Sequence, residues 1–334
     1  MRKNRVLSHV GYRVGVDLMG NENSPEALLA ILRVTKLPVG VELVAFGLPE
    51  FEKNAGISYV AVKEFISPED HPLISLRQKR ESSLSVGLRQ LKAKKLDAFV
   101  SAGNTGALVS GAKMILGNLP GILRPALLAR MPTKKQPVVV LDVGAVVQVR
   151  ATHLIQFALL GTAYCKIQGI EKPTVGLLNI GSEPLKGTSE LREAYQFLKN
   201  MKNPPFHFAG NIEGKSVFDG NVDVLIADGF TGNIFLKTAE GIASLILDRF
   251  GTILPRTEFQ KIHPQIEDLQ RNLHYAEYPG ALLVGVQGTV IKCHGYSTPQ
   301  GFANAVLGAA ELALRDFSQQ LKIQMDKSVR FRSD

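Results

Sequence analysis

Val224-Leu-Ile-Ala-Asp-Gly-Phe-Thr-Gly-Asn-Ile-Phe-Leu-Lys-Thr-Ala-Glu-Gly241 is the stretch whose reading decides the fold. Its first four residues, Val224 to Ala227, are a short apolar run of the kind that fills a buried strand. Asp228-Gly229 breaks the run, and Thr231-Gly232-Asn233 opens a helix that continues past Glu240. A strand feeding a helix through a glycine-containing turn leaves backbone N–H groups aimed at one spot, which suits an anion such as phosphate. One such turn also serves plain chain reversal, so it does not decide the matter alone.

The same grammar recurs with different letters. Val14-Gly-Val-Asp-Leu-Met-Gly20 runs into Asn21-Glu-Asn-Ser-Pro25 and a helix-like segment from Glu26 to Leu32. Ala98-Phe-Val-Ser-Ala-Gly-Asn-Thr-Gly106 runs into Ala107–Leu116, while Val138-Val-Val-Leu-Asp-Val-Gly144 and Val175-Gly-Leu-Leu-Asn-Ile-Gly181 end alike. Strands alternating with helices at 107–116, 152–168 and 189–198 predict βαβ units and a largely parallel sheet. In such a sheet the polar strand ends gather on the carboxyl edge, where ligands bind.

At 334 residues with 45% hydrophobic content, the chain can bury a large core, as one α/β domain or two closely joined lobes. No apolar run approaches the length of a membrane span, and Asp17 interrupts the run that follows the basic start, so no secretory signal is expected. Cys165 and Cys293 have no metal spacing and no disulfide framework, which points to a reducing cytoplasm. The net charge of +9 favours an acidic partner. No nucleic-acid module accompanies it, so phosphate, an acidic carrier protein, anionic lipid or a merely solvated basic surface all fit.

Residues 1–13 read as a basic lead-in, 14–321 as a single α/β catalytic domain, and 322–334 as a loose charged tail. Within the domain, Leu73–Leu96 reads as a helix with a basic run, and the section holding Pro120, Pro125, Pro132 and Pro137 as loop-rich. The stretch of about 242–278, two amphipathic segments joined by Gly251-Thr-Ile-Leu-Pro-Arg256, reads as a protruding helical hairpin.

Several blocks carry a family resemblance: Ser101-Ala-Gly-Asn-Thr-Gly-Ala-Leu108, Leu141-Asp-Val-Gly-Ala145, Gly176-Leu-Leu-Asn-Ile-Gly181 with Lys186-Gly187, Asp228-Gly-Phe-Thr-Gly-Asn233, and Val290-Ile-Lys-Cys-His-Gly295. Together and in order they resemble the PlsX family, the bacterial phosphate acyltransferases of phospholipid synthesis. The resemblance implies a three-layer α/β/α sandwich similar to isocitrate and isopropylmalate dehydrogenases, without nicotinamide or any other cofactor. It also implies transfer of a fatty acyl group from acyl carrier protein to inorganic phosphate, a homodimer, and hand-over of acyl phosphate to a membrane glycerol-phosphate acyltransferase. The chain departs from the family's usual letters at Gly20-Asn-Glu-Asn-Ser-Pro25, and at Val146 and Gln148. Its 242–278 stretch is shorter than the family's hairpin.

The residue chemistry agrees with that reaction. Phosphate is itself the nucleophile, so no Ser-His-Asp or Cys-His pair is required, and a thiolate leaving group needs little acid. What must be supplied is positioning together with cation and N–H donors. Lys186, in the polar turn Ser182-Glu-Pro-Leu-Lys-Gly187, is the candidate charge, against the alternative of a solvated loop lysine. Asn233 is the candidate for orienting phosphate or the thioester oxygen, with helix capping as its other reading. Asn104, Thr105 and Gly106 offer an amide, a hydroxyl and N–H groups. Asn179, Gly181, Gly229 and Gly232 complete the phosphate turns, with Asp17 and Asp228 orienting turns or lysines, and His294 as a hydrogen-bonder. Arg77, Lys79 and Arg80 are candidates for gripping the carrier. The histidines have no metal spacing, so no metal is expected. Two other readings stay open: a phosphotransacetylase-like enzyme using coenzyme A thioesters, and a non-catalytic carrier-binding scaffold at the membrane surface.

Overall fold

The computed structural model describes residues 11–20, 22–253, 280–293 and 298–330. The chain begins with β1 (Tyr12–Asp17), α1 (Pro25–Val34), β2 (Val41–Gly47), β3 (Ser58–Ala61), α2 (Pro72–Gln78), α3 (Ser83–Lys92), β4 (Ala98–Ser101) and α4 (Thr105–Ile115). It continues through β5 (Ala126–Met131), β6 (Val138–Leu141), α5 (Ala151–Ile167), β7 (Thr174–Asn179), α6 (Ser189–Lys199) and β8 (His207–Glu213). Next come α7 (Gly214–Val217), β9 (Val224–Ile226), α8 (Gly229–Ile253), β10 (Ala281–Val284) and β11 (Thr289–Lys292). Two helices, Pro299–Leu314 and Phe317–Arg330, follow.

These elements gather into two compact units, one built from the chain up to Gly117 with Val286–Gln319, the other from Asn118–Gly285 with the residues from Gln320 onward. In the first unit the strands lie in the order β3-β2-β1-β4-β11, and every neighbouring pair is parallel. Val14, Val16, Phe99, Val100 and Val290 are fully buried, so the apolar runs are core strands covered by helices. Packing is close enough to dictate glycine. A Cβ on Gly87 of α3 would stand 2.1 Å from the Phe99 ring, and one on Gly15 of β1 would stand 2.9 Å from it. Helix and strand thus both yield to one aromatic side chain.

In the second unit the order is β10-β5-β6-β9-β7-β8. The pairs β6–β9, β9–β7 and β7–β8 are parallel, whereas β5 runs antiparallel to both β6 and β10. Helix α5 is buried along most of its length over β6 and β9. Both units are therefore α/β with largely parallel sheets, as the strand–helix alternation predicts.

Three local expectations are corrected. Leu73–Leu96 is not one helix: Lys79–Ser82 interrupts it, and Ser82 Oγ accepts the Ser85 N–H at the start of α3. The proline-rich section holds a strand, because Pro125 and Pro132 bracket the apolar Ala126–Met131 rather than entering it. The segment 301–321, which reads as one closing helix, breaks at Asp316 (φ 50°), and the chain beyond Lys322 continues as helix to Arg330 instead of trailing loosely. Of the predicted 242–278 hairpin, α8 supplies the first part; residues 254–279 lie outside the described ones, as do residues 1–10 of the basic lead-in.

Candidate active site

In the second unit three neighbouring parallel strands, β6, β9 and β7, each end in a polar turn at their carboxyl ends. The turn after β6 is organised by Asp142. Its Oδ1 accepts the N–H groups of Leu127 (2.8 Å), Gly144 (3.2 Å) and Ala145 (3.0 Å). Its Oδ2 accepts those of Ala145 (3.0 Å) and Val146 (2.6 Å). Burial pushes the Asp142 carboxyl up to about 6 even against this set of donors.

The start of α8 is pressed onto that turn. Gly229 N–H donates to the Val146 carbonyl at 2.9 Å. A Cβ on Gly229 would stand 2.7 Å from Asp142 Oδ2, and one on Gly232 only 1.9 Å from the Asp142 carbonyl oxygen. Gly229 and Gly232 are thus both needed for close approach of backbone to backbone. Asp228 supplies the helix cap: its Oδ1 accepts Thr231 N–H at 2.8 Å and its Oδ2 accepts the Thr231 hydroxyl at 2.7 Å. Asn233 is therefore not the capping residue. It is half-buried, and its amide faces Gly144, where a Cβ would lie 3.7 Å from Oδ1.

After β7 the chain turns through Gly181 to Lys186. Asn179 Nδ2 donates to the Lys186 carbonyl at 3.1 Å and Asn179 Oδ1 accepts the Ile180 N–H at 2.8 Å. Asn179 thus acts on the backbone that carries the lysine. The half-exposed Lys186 side chain crosses bare Gly181, where a Cβ would stand 3.2 Å from its Cγ, and Nζ lies 3.9 Å from Glu183 Oε1. Glu183 is its one ion-pair partner among the described residues, and that exposed contact leaves the ammonium available to an anion.

In the first unit, β1, β4 and β11 are likewise parallel neighbours, with β4 between the other two. Asp17 is 2% exposed, and its oxygens accept the Met19 N–H (3.0 Å) and the Ser101 hydroxyl (2.8 Å). Ser101 Oγ in turn accepts the Gly103 N–H at 3.1 Å. Burial pushes Asp17 up to about 6, opposed by hydrogen bonds from Ser83, Met19 and Ser101 and by the charge of Lys292. Asp17 thus fixes turns from below. Asn104 is committed as well: Oδ1 caps Ala107 N–H at 3.0 Å, and Nδ2 donates to the Pro68 (3.0 Å) and Asp70 (3.1 Å) carbonyls. The helix start it caps carries Thr105 and Gly106, whose N–H groups head α4.

Arg77 and Arg80 are exposed. Lys79 is held by Asp70 in an ion pair of 2.5 Å, which steadies the loop that Asn104 also ties down. His294 lies outside the described residues. Burial pushes the thiols of Cys165 and Cys293 up to about 12, so neither is a nucleophile at neutral pH. Among the described residues no group of three His, Cys, Asp or Glu side chains is placed to hold a metal, and no helix is long and apolar enough to cross a membrane.

Three residues escaped the sequence reading, the first being Asp142, whose carboxylate holds the turn after β6. Lys292 ends β11 with 9% exposure, its Nζ donating to the Ala102 carbonyl at 3.1 Å and to the Cys293 carbonyl. The signal was a lysine closing the apolar run Thr289-Val-Ile-Lys292. Asn211 is a buried amide inside β8, with Nδ2 donating to the Glu183 carbonyl at 2.8 Å.

A family described as fatty acid synthesis protein matches residues 12–320. A phosphate acyltransferase of Thermotoga maritima is 39% identical over 307 residues, covering 88% of this chain and 91% of that protein. One of Chlamydia caviae is 40% identical over 314 residues, covering 90% and 95%. Among solved structures, a phosphotransacetylase from Streptococcus pyogenes is similar with a TM-score of 0.63 at 16% identity, covering 91% of this chain and 94% of its own. A 4-hydroxythreonine-4-phosphate dehydrogenase from Klebsiella pneumoniae follows with a TM-score of 0.56 at 10% identity, covering 91% and 99%. The two structural likenesses establish the dehydrogenase-like α/β fold.

Proposed function

The chain belongs to the phosphate acyltransferase family, and from that premise we propose that it transfers a fatty acyl group from acyl carrier protein to inorganic phosphate. A phosphate oxygen attacks the thioester carbonyl, the new C–O bond forms as the C–S bond breaks, and the proton of hydrogen phosphate passes to the departing thiolate. The products are acyl phosphate and the free carrier thiol.

Lys186 and Asn233 hold the reacting groups. The lysine ammonium meets phosphate oxygens as a point charge, and the asparagine amide orients phosphate or the thioester oxygen. Asp142, Asn179 and Asp228 keep the turns around them in place; in the first unit the N–H groups of Thr105 and Gly106 head an anion-binding turn of that unit, held by Asp17 and Asn104. The observation that carries this reading is that Asp228 caps α8, which leaves the Asn233 amide turned toward Gly144. Preorganised donors of this kind supply the electrostatic part of catalysis without reorganisation during the reaction.

Arg77 and Arg80 grip the acidic carrier, with Lys79 occupied by Asp70. The enzyme works as a cytoplasmic homodimer that touches the membrane surface and passes acyl phosphate to a glycerol-phosphate acyltransferase. The likeness to a phosphotransacetylase fold favours one second reading, in which coenzyme A thioesters are the donors.

One assay separates these. Acyl carrier thioester is incubated with and without phosphate, thiol release is followed, and acyl phosphate is trapped with hydroxylamine. Phosphate-dependent release, faster with the carrier than with the matching coenzyme A thioester, is the expected result. Preference for coenzyme A moves the protein to the second reading, and no release leaves a carrier-binding scaffold.

A further inference from the structure

The turn that carries Lys186 is fastened at both ends by side chains of adjacent strands, and only one of the two has been given a role. Glu183-Pro184-Leu185-Lys186 closes on itself, with Lys186 N–H donating to the Glu183 carbonyl at 3.1 Å. Pro184 restricts the second position of that turn. Asn211 Nδ2 donates to the same Glu183 carbonyl at 2.8 Å, and Asn179 holds the far end through the Lys186 carbonyl. The strands β7 and β8 are paired with Leu177 opposite Asn211 and Asn179 opposite Glu213, so the two amides reach the turn from neighbouring strands.

Asn211 is 6% exposed, and its Oδ1 is buried with no hydrogen-bond partner among the described residues. A half-satisfied amide inside a strand is unfavourable where an apolar side chain of that size would fit. The position therefore holds asparagine for what Nδ2 does, and Nδ2 is spent on the turn. Lys186 has a long flexible side chain whose one ion-pair partner among the described residues, Glu183, sits on the same turn. The reach of its ammonium is set by the backbone beneath it.

We propose that Asn211 is a positioning residue for the acyl transfer: by fixing the Glu183 carbonyl it sets where the Lys186 ammonium meets incoming phosphate. The proposal rests on the phosphate acyltransferase reading. A slackened turn lets the ammonium wander, which weakens phosphate binding and leaves the thioester's own binding alone.

The test uses the full-length chain with acyl carrier thioester and inorganic phosphate. Asn211→Ala is expected to lower kcat/KM for phosphate about tenfold, a loss of ~1.4 kcal/mol, through KM, with the thioester KM unchanged. In a Lys186→Met background the same substitution is expected to add less than about twofold, because it acts through the missing amine. Pro184→Gly frees the turn from its exposed side. It is expected to raise the phosphate KM in the same direction, which keeps the proposal testable should Asn211→Ala not fold. A wild-type phosphate KM in Asn211→Ala, a loss fully additive with Lys186→Met, or an indifferent Pro184→Gly overturns it. If the unaltered protein releases no thiol with phosphate, the functional reading itself fails; if it does and Asn211→Ala matches it, only the proposal fails.

Discussion

Gly232→Ala tests whether the contact between α8 and the β6 turn sets the chemistry. A Cβ there stands 1.9 Å from the Asp142 carbonyl oxygen, and real Cβ contacts are essentially never under 3.0 Å, so the helix start must back away by about 1.1 Å. The obstacle is backbone held by the Asp142 carboxylate, so no side chain can swing aside to absorb the clash. Overpacking of this sort costs ~1–3 kcal/mol, and a misplacement of ~1 Å at a reacting group costs on the order of 100-fold in rate. The variant is therefore expected to fold with a lowered urea midpoint while kcat drops by about two orders of magnitude. Gly241→Ala is the control: it lies in the same helix with nothing within 4 Å of its Cβ. It should be neutral or stabilise by up to ~1 kcal/mol. Thiol release and hydroxylamine trapping give the rates, and urea titration gives the stability. A Gly232→Ala protein that loses stability yet keeps wild-type kcat would show that Asn233 does not need its place opposite Gly144, and the site as drawn would be wrong.

Lys186→Met removes a half-exposed amine whose one ion pair is on the surface. The urea midpoint should therefore stay near wild type, while kcat/KM for phosphate falls by on the order of 100-fold; full activity refutes the role. Asp142 has its carboxyl raised from 3.8 to about 6 by burial. A raised carboxyl contributes stability that is present at low pH and is lost as pH climbs through the folded value. The stability of the wild type relative to Asp142→Asn should thus grow by roughly 2–3 kcal/mol from pH 7 down to pH 4; a flat difference in urea titrations contradicts the burial cause. Replacing the exposed Arg77 and Arg80 by Glu should raise the carrier-thioester KM and weaken its salt dependence, leaving the phosphate KM alone. An unchanged salt response removes these residues from the docking surface.

What the sequence made legible follows from which forces are local. Apolar runs ending in Asp-Gly, Gly-Asn or Asn-Ile-Gly set both the strand and the turn after it, so β4, β6, β7 and β9 could be read from a few residues each. The strand β5 was hidden because it runs antiparallel to both partners, one of which, β10, is distant in sequence, and because Pro125 and Pro132 looked like interruptions when they are its borders. At the site, residue types were readable but allegiances were not. Nothing in Asp228-Gly-Phe-Thr-Gly-Asn233 distinguishes a capping aspartate from a capping asparagine; only the bonds to Thr231 do. Asn104 reads as offering its amide to the ligand, yet it is engaged by the carbonyls of Pro68 and Asp70, while Asp17, which reads as orienting a turn or a lysine, does hold a turn through Met19 and Ser101. Lys292 and Asn211 went unread because a buried lysine or amide is explained by the carbonyl it reaches, and those of Ala102 and Glu183 belong to the turns after other strands. The pattern has a physical reason. A group that touches phosphate must be presented by a turn, and turns announce themselves through glycine and asparagine. A group that holds the turn sits on a strand, where periodicity predicts an apolar side chain. A polar residue at the carboxyl end of an otherwise apolar strand is therefore a marker for a residue that holds a turn, as Asp17 and Lys292 do in the first unit and Asn179 does in the second.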